Sequence, residues 1–215
     1  RPLRGRLVCY NNNMQKKFYI IIGKSGSGKG TQAKLLKEYL ESKGLEEVKH
    51  ITTGGTIRDF IANNNNFSND LIKSIVNSGK SLPLFFAVWN WVNVFINSIG
   101  KNTTIILDGA PRRLDEAKII DEAIKFYGYD NVAVIYLDVS DNWAKAQLRS
   151  RGRSDDSDDE KVNNKMEWFA SDVLPVLDWY KNCKNNVSFY HINGEQSIEK
   201  VNSDILFSLK TYSVL

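Results

Sequence analysis

The chain reads as an α/β protein built on a five-stranded parallel sheet with helices on both faces. Three observations predict this. Short β-rich runs alternate with longer segments of helical periodicity. The runs "FYIII" and "TIILD" are apolar throughout, as strands buried on both faces are. The glycine-rich stretch "GKSGSGKGTQ" follows the first run directly and opens a helical segment, giving a strand–turn–helix unit.

The first strand is expected at 18–22. In "TQAKLLKEYLESKG", Leu35, Leu36, Tyr39 and Leu40 share one helical face and Gly44 supplies the stop. The second strand is expected at 48–51. A long detour then runs from about 53 to 99, with several helical stretches and the loop "NNNNF". Strands follow at 103–107, 132–137 and 187–192. Between the last two, "RSRGRSDDSDDEK" (149–161) is too polar to pack and reads as a mobile flap beside the sheet edge.

At 215 residues and 42% hydrophobic, the chain can bury a single sizeable core. Its net charge of +4 is mild, and the basic residues are scattered rather than run together, which argues against nucleic-acid binding. Cys9 and Cys183 lie at no metal or redox spacing, so neither a disulfide framework nor a zinc site is expected. A reducing compartment fits, most simply the cytoplasm. The apolar segment 82–99 carries Asn90, Asn93 and Asn97 on one helical face. That stripe argues for a buried helix of the fold rather than a membrane span. Residues 1–13 precede Met14, lack the apolar stretch of a secretory signal, and read as a non-native or disordered extension. A targeting peptide is the minor alternative.

Gly23, Gly28 and Lys29 match G-x-x-x-x-G-K, the P-loop pattern. Its glycines let successive N–H groups turn inward to cradle phosphate oxygens, and the helix start points its positive dipole end at the same place. Gly23, Ser25, Gly26, Ser27, Gly28, Lys29, Gly30 and Thr31 are therefore candidate ATP-binding residues. Gly30 stands where Ser or Thr is usual, so the hydroxyl that could reach a metal is Thr31, one position later. The loop alone identifies a polyphosphate and nothing narrower. No guanine-reading "NKxD" stretch follows the fourth strand, which disfavours a GTPase.

Further stretches choose among P-loop proteins. "GKSGSGKGTQ", "HITTGGTIRD", "GKSLP", "LDGAPRR", "RGRSDD" and "DVLPVLDWY" occur in this order. The chain thereby resembles the adenylate kinase family of nucleoside monophosphate kinases, over essentially everything after Met14. The resemblance implies one P-loop kinase domain at 14–215, an acceptor-binding excursion at 53–82 and a short lid at 149–164. It implies reversible phosphoryl transfer from ATP, with Mg²⁺, to a nucleoside monophosphate, in a monomer. It places Thr53, Arg58, Leu82, Gly109, Arg112 and Glu116 at the acceptor nucleotide. Arg151 and Arg153 become lid arginines over the transferring phosphoryl. Asp108 would hold Mg²⁺ through water, with Thr31 as a second candidate. Gly194 falls in the loop that wraps the ATP adenine. The lid is too short for a zinc-binding hairpin.

Several positions depart from the family's pattern. Glu116 stands where adenylate kinases carry Gln. A carboxylate only accepts, so it suits two neighbouring donors, as on guanine, or adenine read by its N6 amine alone. The overall likeness still favours AMP, with GMP, CMP and UMP as alternatives. Gln147 replaces an arginine expected to stack on the ATP adenine. Lys165 is the nearest match to a third phosphate-binding arginine, keeping the charge and losing the fork. Gly55 replaces an acid. These changes motivate the other reading, a nucleotide-binding module with little turnover. Asp155 and Asp156 are expected to hinge the lid by pairing with arginines, and the rest of that acidic run to favour the next helix through its dipole.

Overall fold

The computed structural model describes residues 16–153, 156, 158–183 and 186–211. The expectations for 1–13 and for Asp155 lie outside them. The described residues form, in order, β1 (Phe18–Gly23), α1 (Lys29–Ser42), β2 (Val48–Thr52), α2 (Thr53–Asn63), α3 (Phe67–Asn77) and α4 (Leu84–Ser98). These are followed by β3 (Thr104–Asp108), α5 (Leu114–Phe126), β4 (Val132–Asp138), α6 (Asp141–Arg151), α7 (Asp159–Trp168), α8 (Leu174–Lys181), β5 (Val187–Asn193) and α9 (Ile198–Thr211). A π-helical turn, Phe169–Val173, joins α7 to α8. It widens the helix ahead of Pro175, which lacks an N–H and would otherwise crowd the carbonyl four residues back.

All five expected strands form, in one parallel sheet of order β2-β3-β1-β4-β5. Their boundaries move by about a residue. Side chains alternate across the sheet. Phe18, Ile20 and Ile22 pack on one face against Trp91 and Phe95 of α4, Ile120 of α5 and Val176 of α8. Tyr19 and Ile21 pack on the other against Leu36 and Leu40 of α1 and Ile205 and Leu209 of α9. β1 and β3 are central and buried throughout almost their whole length, which is why their sequences do not alternate.

The 53–99 detour resolves into α2, α3 and α4 around a small core of Ile57, Ile72, Leu82 and Phe86. Within "NNNNF", Asn66 accepts from the Asn69 N–H and caps α3. The expectation of a buried helix at 82–99 needs correction. α4 buries Phe86, Asn90, Trp91 and Phe95 but exposes Phe85, Trp89 and Ile96, because the sheet and α2 cover only part of it. Its asparagines also divide, with Asn90 buried and Asn93 and Asn97 exposed. Among the described residues no helix is long and apolar enough to cross a membrane.

From β1 the chain goes one way to reach β2, and from β3 it crosses to the other side of β1 to reach β4. In open parallel sheets a crevice opens over the carboxyl ends of the strands where the winding reverses. The glycine-rich loop leaves β1 at that place.

Candidate active site

The loop after β1 turns through two left-handed residues, Gly26 (φ +90°) and Gly28 (φ +86°). A Cβ at Gly26 would lie 2.5 Å from the Ala144 carbonyl, so the loop packs directly on α6. Gly28 caps α1 without a side chain, leaving the helix's first N–H groups to meet an anion. Lys29 is the first residue of α1. Its Nζ donates to the carbonyls of Gly23 (2.8 Å) and Lys24 (2.7 Å). Burial pushes the Lys29 pKa down to about 8, against the opposing pull of the Asp108 charge. Lys24 turns away, to the Val139 carbonyl (2.8 Å) and Asp141 (2.7 Å), and ties the loop to the start of α6.

Lys29 looks into a cavity of about 750 Å³. Ser25, Gly26, Gly28, Gly30 and Thr31 line one wall; Arg58 comes from α2 and Leu82 from the turn before α4. Asp108, Gly109 and Arg112 come from the end of β3, and Gln147, Arg151, Arg153 and Lys165 from α6, the residues after it and α7. The cations expected from four separate segments thus converge on one space. Thr53 and Glu116 instead line an adjoining cleft with Ile57, Asn90 and Arg112. Gly23 lies beneath the loop, and Ser27 Oγ is buried without a hydrogen-bond partner. Gly194 is not among the cavity-lining residues. Its N–H donates to the Asp138 carbonyl (2.8 Å), and a Cβ there would lie 2.7 Å from Val139.

The loop after β3 is held from several sides. Gly109 has φ +85°, and Thr53 donates from Oγ1 to its carbonyl (3.0 Å), as Arg112 does from Nε (2.9 Å). The Ala110–Pro111 peptide is cis. Glu116 lies in the first turn of α5 and is 2% exposed. Its Oε2 accepts from the Arg112 N–H (2.6 Å) and its Oε1 from the Trp91 indole N–H (3.1 Å). This is capping-box chemistry displaced by one residue, a first-turn carboxylate reaching back to an N–H ahead of the helix. Burial raises the Glu116 pKa, opposed first by that backbone hydrogen bond.

Between α6 and α7, Asp156 pairs with an arginine, as expected, and with a lysine as well. Its Oδ2 takes Arg151 through Nε (3.0 Å) and Nη2 (2.6 Å), while its Oδ1 takes Lys165 (2.6 Å). The Asp156 side chain is fully buried. One carboxylate therefore joins Arg151 to Lys165. Asp158 caps α7 through the Lys161 N–H (2.9 Å).

Three placements were missed from sequence. His50 lies on β2 with Nε2 3.5 Å from Asp108 Oδ2, and that nitrogen is buried without a hydrogen-bond partner. Its signal was the strand alternation, since β2–β3 pairing puts His50 opposite Ile106, on the face that Asp108 also shares. Trp91 lies in the core and also donates its indole N–H to Glu116. At Gly55, where an acid is missing, a Cβ would meet Thr52 Cγ2 at 2.8 Å, so Thr52 fills the space a side chain would need.

Residues 21–185 match the sequence model of a family described as adenylate kinase. The chain belongs to the adenylate kinase family. It is 32% identical over 190 residues to adenylate kinase 1 of Nostoc sp., covering 88% of this chain and 97% of that protein. It is 30% identical to the adenylate kinase of Nautilia profundicola (86% of this chain, 92% of that protein) and 29% to that of Helicobacter hepaticus (88% and 95%). As a member of this family the chain is an enzyme, a nucleoside monophosphate kinase.

Two outcomes follow. Because burial holds the Lys29 pKa down to about 8, phosphate binding should draw a proton onto it. Calorimetry of ATP binding in buffers of different ionisation enthalpy should show proton uptake of up to about half a proton at pH 8, vanishing near pH 6. Lys29→Met should abolish the uptake. Glu116→Gln sets an amide NH₂ against one of two N–H donors, so it should lower stability by ~1–3 kcal/mol. A lower urea midpoint with an unchanged m-value is the expected reading.

Proposed function

We propose that this chain transfers the γ-phosphoryl group of ATP to AMP, reversibly and with Mg²⁺, giving two ADP. The observation that carries this is the meeting of cations from both nucleotide sides in one cavity, Lys29 and Arg151 on the donor side and Arg58 and Arg112 on the acceptor side. Phosphoryl transfer needs positioning and charge neutralisation more than covalent chemistry, and the site supplies those. Lys29 and the α1 N–H groups hold the donor phosphates. Arg112, its Nε tied to Gly109, presents its remaining N–H groups to the acceptor phosphate. Arg151 and Lys165, aligned by Asp156, close over the transferring group and exclude water, which would otherwise be a wasteful acceptor.

Asp108 fits a hydrated Mg²⁺. It is 7% exposed, sits on the cavity wall, and looks onto Gly30 at the start of α1. Mg²⁺ takes one or two carboxylates with water and phosphate oxygens. Bound there, it neutralises charge on the phosphate oxygens. Thr31 lines the same wall.

For the acceptor base, the geometry of Glu116 favours AMP. Glu116 is 2% exposed and its two oxygens are turned to Trp91 and Arg112, so the carboxylate offers little surface to the paired donors of guanine. The adjoining cleft offers adenine an apolar slot of Ile57, Leu82 and Ala87 beside the Asn90 amide. A monomer in the cytoplasm completes the reading, supported by the family likeness and by the absence of a disulfide framework in the sequence.

A coupled assay of ADP formation with AMP, GMP, CMP and UMP should show turnover highest with AMP. ATP binding with no transfer to any acceptor would contradict the reading and leave a binding module. Lys29→Ala should lower kcat by roughly 10²–10³-fold while leaving the circular dichroism spectrum unchanged.

A further inference from the structure

Helix α7 touches the acceptor excursion along one face. Lys161, Asn164 and Trp168 are spaced by three and four residues, and so lie in one row on the helix. All three meet the turn at Ser78 and Gly79, just after α3. Asn164 donates from Nδ2 to the Ser78 carbonyl (2.9 Å). Trp168 donates from Nε1 to the Gly79 carbonyl (3.2 Å). Gly79 has φ +70°, and a Cβ there would lie 2.5 Å from the Lys161 carbonyl and 2.9 Å from its Cα. Only glycine allows backbone to approach backbone this closely.

Trp168 has a second contact. The Arg112 guanidinium carbon lies 5.0 Å from its ring centroid, over the ring face. Both side chains line the central cavity. Arg112 is thereby fixed on three sides, by Gly109 through Nε, by Glu116 through its N–H, and by the indole face. One turn before Trp168 stands Lys165, joined through Asp156 to the lid arginine Arg151. The same helix thus carries the lid contact and the acceptor contact.

We propose that Trp168 is a positioning residue for the acceptor nucleotide, holding the Arg112 guanidinium toward the acceptor phosphate while its indole N–H latches the acceptor excursion to α7. A guanidinium stacked on an aromatic face holds its N–H groups in the plane at which a phosphate can meet them, and the stack limits its rotamers. The latch fixes the distance between the turn and Arg112. This inference rests on the acceptor site proposed above, since it concerns how that site is held.

The test separates acceptor from donor. Calorimetric Kd values for AMP and for ATP, and KM for each, are measured on the full chain and on Trp168→Leu, Trp168→Phe and Gly79→Ala. Losing the stack and the N–H together in Trp168→Leu should raise Kd and KM for AMP about tenfold or more, with the ATP values within about twofold. Trp168→Phe keeps a ring face and should recover part of that loss. Gly79→Ala forces the turn off α7 and should reproduce an acceptor-only loss without touching the ring. Equal losses for AMP and ATP in a variant that still melts cooperatively would mean that Trp168 only supports the fold, and would overturn the inference. Unchanged AMP binding in Trp168→Leu would overturn it too. If Trp168→Leu does not fold, Trp168→Phe and Gly79→Ala decide by the same criterion. A wild-type chain that binds AMP but transfers nothing to it would instead defeat the proposed function and leave these binding comparisons standing.

Discussion

Gathering cations round one cavity works against their mutual repulsion. Two like charges at about 4 Å repel by ~4 kcal/mol at the effective dielectric of a protein surface. The structure offsets this by giving several of them an anchor that is itself fixed. Lys29 leans on two carbonyls of its own loop, Arg112 on the Gly109 carbonyl, and Arg151 and Lys165 on the two oxygens of Asp156. Each anchor leaves donor capacity for phosphate. Anionic ligands complete such a site. The lowered pKa of Lys29 reports the same tension, as burial favours loss of a charge that phosphate would restore.

The fold exists round those anchors. Parallel strands bring the ends of β1 and β3 side by side, so that Lys29 and Asp108 face each other from neighbouring elements. Left-handed Gly26, Gly28 and Gly109 turn the backbone where a side chain would obstruct it or strain it. Glu116 then fixes the loop that carries Arg112. Removing its donors would leave a buried carboxylate unsatisfied, so the pair with Trp91 links the fold's core to the position of a cation in the site.

The parts legible in the sequence are those governed by local chemistry. The P-loop, β1, β3 and the start of α1 depend on residues within a dozen positions of each other. Asp108 was legible because it ends a buried strand, and Arg151 because it stands inside a short ordered block. Asp156 was half legible, since acids beside arginines can be paired on paper, but Lys165 joins them only once α7 folds back. The Trp91–Glu116 bond, the His50–Asp108 approach and the Trp168–Gly79 bond join residues far apart in the chain, and nothing in either local stretch announces its partner. The exposure of Phe85 and Ile96 on α4 was missed for a related reason. Periodicity identified a helix but not how much of it the neighbouring elements would cover.

On the proposed function, donor and acceptor phosphates share one cavity whose cations act together. Two adenosines joined through five phosphates span both sites at once, so their binding tests it most directly. Isothermal titration should show one molecule bound per chain, at least about a hundredfold tighter than ATP or AMP alone, with that advantage lost in Arg112→Ala. Binding no tighter than ATP, or an advantage that survives without Arg112, would contradict the account.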